Sequence, residues 1–208
     1  GVAHEVRNPL SSIKGYASYF KTLFAEDSEN RAAAEVLVNE TERLNRVITE
    51  LLEISRPSEI KLQEVDIRTV LDTTIRLIHS DANQHGNTEF STDISEDLKS
   101  IPVDPDRFVQ VLMNLYLNGI QAMPDGGLLK TVVKSKNDQV EIVITDTGIG
   151  MTEDTRRQLF NPYFTTKTTG TGLGMAIVHK IIEAHKGEIN VSSEEGKGTE
   201  ISIRLPKS

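Results

Sequence analysis

Asp146-Thr-Gly-Ile-Gly150 and Gly170-Thr-Gly-Leu-Gly174 are the two stretches on which the fold of this chain turns. The first follows an alternating apolar run, Val140-Glu-Ile-Val-Ile144, which reads as a strand ending in a carboxylate. The second opens an apolar-periodic segment, Leu173 to His185, which reads as a helix. Between them lies the polar run Thr165-Thr-Lys167-Thr-Thr169. Glycines at a helix start let backbone N–H groups approach phosphate oxygens closely, and the helix dipole favours negative charge there. A carboxylate at a strand end can accept a hydrogen bond from a base amine. The pair predicts a nucleotide pocket closed by a lid. Neither cluster is a Walker A loop, and Met175 occupies the last position of a G-x-G-x-x-G fingerprint, so taken alone both also fit ordinary turns.

Composition narrows the class. The chain has 208 residues, enough for one large domain or two small ones. Its net charge of −8, with no basic stripe carrying interleaved aromatics, argues against direct nucleic-acid binding. It contains no cysteine, which excludes a disulfide framework and a thiolate metal site. No apolar run approaches the ~20 residues a membrane helix needs, so this segment is expected to make no membrane contact. The opening Gly-Val-Ala-His has no signal-peptide character and starts inside a motif, which suggests a piece of a longer protein.

Working outward to the N-terminus, Val6, Leu10, Ile13, Ala17, Phe20 and Phe24 alternate at spacings of four and three, a coiled-coil seam. Glu26-Asp-Ser-Glu-Asn30 interrupts it. A second helix carries Leu37, Leu44, Ile48, Leu51 and Ile54 on one face until Pro57. Two helices cannot cover both seams, so the hairpin calls for a partner, most economically a second copy forming a four-helix bundle.

Beyond Pro57 the pattern changes to a helix over 66–78 and a strand over 88–94. Asp104-Pro-Asp-Arg107 then gives an N-cap with proline at the first position, opening a helix to about Met123. Strands are predicted over 128–135 and 140–146, a short helix over 152–160, and a longer helix from Leu173 to Lys186, stopped by Gly187. A last strand pair covers 188–193 and 199–205. The fold class is α+β: a helical hairpin, then a sandwich with helices on one face of a largely antiparallel sheet.

On the 104–123 helix, Phe108, Val111, Leu112 and Leu115 form the core face, while Asn114 and Asn118 stand four apart with Gln110 and Gln121 in the same stripe. Amides can belong to a solvated face, but an asparagine carbonyl also suits Mg²⁺, which keeps waters and shares phosphate oxygens. His4-Glu5…Asn8-Pro9 opens the first helix, with His4 and Asn8 on one face. It is not a zinc H-E-x-x-H site, because Asn8 replaces the second histidine. His4 is either a surface histidine or a nucleophilic imidazole.

Five motifs in order resemble the H, N, G1, F and G2 boxes of a two-component sensor histidine kinase transmitter: His4-Glu5…Asn8-Pro9, Asn114…Asn118, Asp146-x-Gly148-x-Gly150, Phe160-x-Pro-x-Phe164 and Gly170-x-Gly172-x-Gly174. The resemblance covers essentially the whole chain. Leu10-Ser-Ser-Ile-Lys-Gly-Tyr16 and Asn161-Pro-Tyr-Phe-Thr-Thr-Lys167 are most similar to the nitrogen-regulatory and zinc-resistance-associated sensor kinases. It implies a dimerisation and histidine-phosphotransfer domain over 1–57 and a Bergerat-type ATP-binding domain over 60–208. His4 would be the phosphoacceptor, Glu5 its proton acceptor, and Asn8 the positioner of a water for dephosphorylating the partner. Asp146 would hold the adenine amine, with Gly148 and Gly150 in the same loop. Asn118 would bind Mg²⁺ with Asn114 nearby, and Lys167, Gly170, Gly172 and Gly174 would surround the ATP phosphates. Phe160 and Phe164 would anchor the lid or simply pack. The resemblance further implies a homodimer and a response-regulator partner, with an enhancer-binding transcription activator suggested. It also implies anchoring of the whole protein in a bacterial inner membrane, with this part in the cytoplasm. ATP-hydrolysing relatives carry a glutamate where Asn114 stands, and an amide cannot act as a general base. Hydrolysis and a transfer-dead scaffold are the competing expectations. Gly119 departs from the family's usual alanine and should lower helix propensity.

Overall fold

The structure, a computed structural model, describes residues 2–55, 59–80, 87–96, 98, 100–167 and 170–207, the side chains of 2–4 and 80 excepted. It divides into two compact units, Gly1–Arg56 with Tyr163–Leu173, and Pro57–Pro162 with Gly174–Ser208.

The first unit is built on a helical hairpin, α1 (Val2–Leu23) and α2 (Glu29–Ser55). Ser28 caps α2, its hydroxyl accepting the Arg31 N–H at 3.2 Å. Pro57, expected to end α2, lies outside the described residues. Pro9 sits within α1 and lacks the N–H that would bond the Glu5 carbonyl, a local weakening beside the His4–Asn8 stretch. Ala17, Ala34 and Thr41 are buried in the hairpin. Its antiparallel register is marked by a polar ladder with heptad spacing: Arg7 donates to Thr49 at 3.0 Å, Lys14 pairs with Glu42 at 2.7 Å, and Lys21 pairs with Glu35 at 2.8 Å. Each partner moves seven residues along its helix per rung, the repeat that keeps one stripe facing its neighbour. Much of the seam is open on a single chain: Ile13 is 48% exposed and Phe20 45%, and Leu37, Leu44 and Leu51 are likewise exposed, while Leu10, Phe24, Ile48 and Ile54 are half-buried.

The second unit is the α+β sandwich. Its main sheet has the order β2 (Thr88–Ile94), β4 (Gly127–Lys136), β5 (Gln139–Asp146), β7 (Gly198–Pro206) and β6 (Glu188–Glu194). All pairs are antiparallel except β2–β4, which is parallel because the chain crosses over through α4 (Pro105–Gln121) between them. Leu129, Thr131 and Val133 alternate inward with Val140, Ile142, Ile144, Ile201, Ile203 and Leu205. They bury against apolar stripes of α3 (Ile67–Ser80), α4 and α6 (Gly174–Ala184), including Leu71, Phe108, Leu112 and Ile182, and a short helix α5 (Glu153–Gln158) precedes α6 in the chain. Each such side chain contributes about 1.5–3 kcal/mol relative to exposure. The opposite face carries a row of alternating charge, Lys134, Glu141, Arg204 and Glu188, in register across four strands, with Arg204 Nε 3.1 Å from Glu141. That row lets the sheet face water on one side.

Two features differ from the sequence expectation. A small second sheet joins β1 (Gln63–Val65) to β3 (Ile101–Val103), strands too short to show a periodicity. Helix α6 ends at Ala184, and the left-handed residue after it is Lys186 (φ 56°) rather than Gly187. The N–H of Gly187 bonds Ile182 O at 2.9 Å and that of Lys186 bonds Glu183 O at 2.8 Å, a Schellman-type end. Gly187 is required for a different reason: a Cβ there would stand 2.7 Å from the Arg204 carbonyl and 2.6 Å from Leu205 Cδ2.

Candidate functional site

Helix α4 starts where Asp104, in extended conformation (ψ 111°), accepts the Arg107 N–H, with Pro105 at the first position. Its apolar face anchors it to the sheet, and the stripe bearing Asn114 and Asn118 is half-buried. At its C-terminal end the Ala122 carbonyl accepts the Ile149 N–H at 3.0 Å. This docks the loop after β5 onto α4. Gly148 permits that contact, since a Cβ on it would lie 2.6 Å from Ala122 O. On its other side the loop meets the β6–β7 turn: Gly196 N–H bonds Ile149 O at 2.7 Å, and Met151 N–H bonds Ser193 Oγ at 2.9 Å. Gly150 takes a positive φ of 66°, packed on the Glu194 carbonyl.

Asp146 lies at the centre of this arrangement, 8% exposed at the end of β5. Its Oδ1 accepts the Gly148 N–H at 2.9 Å. Burial raises its pKa above the ordinary aspartate value, opposed by the backbone N–H donors of Gly148 and Thr199. Its side chain lies against Gly119 of α4: a Cβ on Gly119 would stand 3.4 Å from Asp146 Cβ, 3.7 Å from Asp146 Oδ2 and 2.7 Å from Leu129 Cδ1. The space an alanine methyl would need is thus taken by Leu129. At the start of α6, Gly174 lies against α4, a Cβ there falling 3.0 Å from Asn114 Oδ1.

The second unit therefore brings together Asn114, Asn118, Asp146, Gly148, Gly150 and Gly174. Lys167, Gly170 and Gly172 lie in the 163–173 segment of the first unit. There Thr165 Oγ1 accepts the Lys167 N–H at 3.1 Å, and Lys167 O accepts the Gly170 N–H at 3.2 Å. Gly172 (φ 70°) crosses close to the Tyr163 backbone, itself at φ 67°. Lys167 is exposed over the whole residue, although burial around its ammonium lowers its pKa from the usual lysine value. Thr168 and Thr169 lie outside the described residues. Phe160 stacks obliquely on His179 of α6, ring centroids 5.2 Å apart. Glu5 and Asn8 are exposed in the first turns of α1, and the side chain of His4 lies outside the described residues.

Several contributors leave no trace in local sequence. The Thr199 N–H reaches Asp146 only through β5–β7 pairing, and Gly198 (φ 92°) packs on the Asp146 carbonyl. His185, which the sequence places only at the end of an apolar-periodic segment, is 4% exposed, and its Nε2 accepts the Asp104 N–H at 3.0 Å.

An acceptor carboxylate seated beside a helix of amide side chains, with glycine-rich backbone around both, has the chemistry of a purine and phosphate site. Comparison with known proteins agrees. Residues 1–60 match the His Kinase A (phospho-acceptor) domain, and residues 103–208 match the Histidine kinase-, DNA gyrase B-, and HSP90-like ATPase family. The chain is 45% identical over 206 residues to the sensor histidine kinase ZraS of Escherichia coli K12, covering 99% of this chain and 44% of that protein. It is 39% identical over 207 residues to sporulation kinase E of Bacillus subtilis, covering 99% of this chain and 28% of that protein. It thus spans less than half of these relatives. Among solved structures, full-length ShkA in complex with AMPPNP superposes with a TM-score of 0.80 at 26% identity, over 99% of this chain and 44% of that one. Histidine kinase ThkA in complex with response regulator protein TrrA gives 0.74 at 26% identity, over 100% and 60%. The chain belongs to the histidine kinase-, DNA gyrase B- and HSP90-like ATPase family and, with its His Kinase A domain, is the transmitter region of a sensor histidine kinase.

Proposed function

We propose that this chain binds ATP in the second unit, transfers the γ-phosphoryl group to His4, and passes it on to an aspartate of a response regulator. The observation that carries the reading is Asp146: its buried carboxylate takes the N–H groups of Gly148 and Thr199 and lies beside Gly119 on the helix bearing Asn114 and Asn118. Two carboxylate oxygens offer about four lone-pair sites, so the group keeps the capacity to accept the adenine amine as well. The domains run over 1–57 for dimerisation and phosphotransfer and 60–208 for ATP. Lys167, Gly170, Gly172 and Gly174 serve the phosphates, the lysine as a point charge.

Among the described residues no group of three His, Cys, Asp or Glu could hold a metal ion. The Asn118 amide oxygen, with Asn114 one turn before it, fits Mg²⁺ shared with phosphate oxygens and water. When bound, that ion supplies positive charge beside the phosphates. In the transfer, a lone pair on the His4 ring attacks the γ-phosphorus, the bond to the bridging oxygen breaks, and ADP leaves with that electron pair. Glu5 accepts the ring proton. Asn114 cannot deprotonate water, so ATP is held for transfer rather than hydrolysed. Asn8, one turn along from His4, serves an opposing hydrolysis: it positions a water that attacks the regulator's phosphoaspartate, releasing inorganic phosphate and the free aspartate. The open seam of the hairpin is covered by a second copy. The regulator is of the enhancer-binding activator kind. The whole protein sits in a bacterial inner membrane, while among the described residues no helix here is long and apolar enough to cross one.

The test is incubation with γ-labelled ATP and Mg²⁺, comparing the chain with His4→Gln. Acid-labile, alkali-stable label that the variant lacks is expected. Label persisting in His4→Gln would move the nucleophile elsewhere, and phosphate released to water without labelled protein would favour a hydrolase.

A further inference from the structure

Asp104 uses more of its hydrogen-bonding capacity than a helix cap requires. Its Oδ1 accepts the Arg107 N–H at 3.1 Å, which is the cap itself. Its Oδ2 accepts the backbone N–H of Lys61 at 2.8 Å, 43 residues earlier in the chain. Its own N–H donates to His185 Nε2 at 3.0 Å, 81 residues later. Accepting that bond leaves the His185 proton on Nδ1, which lies 2.8 Å from Ile181 O in α6. The side chains of both residues are buried, and the His185 ring meets Phe108 edge-on at 6.2 Å.

These bonds fall at one end of an antiparallel helix pair. Asp104 precedes the first turn of α4 and His185 follows the last turn of α6. At the other end Gly174 meets Asn114. The separations, Asp104 to Asn114 and Gly174 to His185, correspond to about 15 Å of helix on each side, so the two contacts pin one register.

We propose, resting on the functional reading above, that Asp104 and His185 are positioning residues for the phosphate and metal end of the nucleotide site. They hold α4 against α6 so that Asn114 and Asn118 face the start of α6, and Asp104 ties that register to the segment that leaves the hairpin. A cap alone explains Oδ1. It explains neither the bond to Lys61 nor the bond to His185. Lys61 stands six residues beyond the end of α2, so the tether sits where the chain enters the ATP-binding domain.

Asp104→Asn separates the roles. An asparagine keeps one oxygen for the Arg107 N–H but turns an NH₂ toward the Lys61 N–H, placing two donors face to face. His185→Leu removes the acceptor for the Asp104 N–H, whereas His185→Gln restores one. In the whole chain without nucleotide, amide NMR is expected to show faster exchange at Lys61 in Asp104→Asn. It is also expected to show shifted Asn114 side-chain and Gly174 signals in His185→Leu, but not in His185→Gln or in Asp104→Asn, whose backbone N–H still reaches His185. Titration with Mg²⁺–ATP should weaken about tenfold in His185→Leu, while magnesium-free ADP stays within about twofold. Unmoved Asn114 and Gly174 signals in His185→Leu, equal weakening of both nucleotides, or unchanged Lys61 exchange in Asp104→Asn would overturn the proposal. A parent chain that bound no ATP would sink the functional reading alone, since the NMR arm would still decide the positioning role.

Discussion

Asp146 is costly to the empty protein and, on the proposed function, useful once ATP is bound. Because its folded pKa is raised, the ionised carboxylate disfavours folding at neutral pH, and that penalty disappears as pH falls through the raised value. Asp146→Asn is therefore expected to leave the melting temperature unchanged or higher while weakening ATP at least about tenfold, a 1.4 kcal/mol loss. An amide keeps one acceptor oxygen for the Gly148 N–H and presents a donor to the adenine amine. ATP affinity of the parent should also fall on acidification at a pH above the ordinary aspartate range, which calorimetry across pH 4 to 7 would follow, and a flat profile would refute it. Tyr116 supplies a contrasting test. Its hydroxyl is buried 2.6 Å from Thr131 Oγ1, and burial pushes its pKa up to about 12. Tyr116→Phe should cost about 1–3 kcal/mol by stranding the threonine hydroxyl, and adding Thr131→Val should recover part of that loss in urea melts.

Among the elements, the glycine turns are not equivalent. Gly148 has backbone on the side where a Cβ would go, at 2.6 Å from Ala122 O, so Gly148→Ala should undock the loop from α4 and abolish ATP binding. Gly196 (φ 80°) meets nothing within 4 Å, so Gly196→Ala should cost only its left-handed strain, about 1–2 kcal/mol, with ATP binding intact. Parallel thermal melts and ATP titrations separate the two. The cap of α4 adds a pH dependence. Burial alone would raise the Asp104 pKa, but the N–H groups of Lys61 and Arg107, with the nearby Arg107 guanidinium, outweigh it and hold the pKa below the ordinary value. Ionised Asp104 thus contributes stability above about pH 4 that is lost as pH falls through the lower folded value. The acid limb of urea midpoints between pH 6 and 2.5 should be shallower in Asp104→Asn.

At the scale of the whole molecule, the hairpin has more apolar surface than one chain can cover. Ile13 and Phe20 remain about half exposed, and isolated surfaces of that kind mark association sites. Ile13→Asp with Phe20→Asp is expected to convert a dimer to a monomer in sedimentation equilibrium while ATP binding persists. A parent that sediments as a monomer would remove the second copy from the account. The ladder from Arg7 to Lys21 should contribute little to that dimer, because exposed ion pairs of this type are weak and screened by salt.

The sequence by itself determined the architecture and named the residues of the candidate site. Periodicity distinguished hairpin from sandwich, aspartate and proline placed the start of α4, and glycine spacing located both loops. These are local signals, since a side chain's period and a turn's φ depend on near neighbours. Tertiary structure decided what joins distant segments. It alone placed the Thr199 N–H on Asp146, seated Leu129 where an alanine at 119 would put its methyl, and gave the left-handed position after α6 to Lys186 so that Gly187 could pass the Arg204 carbonyl. It alone made His185 the acceptor of the Asp104 N–H. Hydrogen bonds spanning 43 and 81 residues have no local period and follow only from how the helices pack.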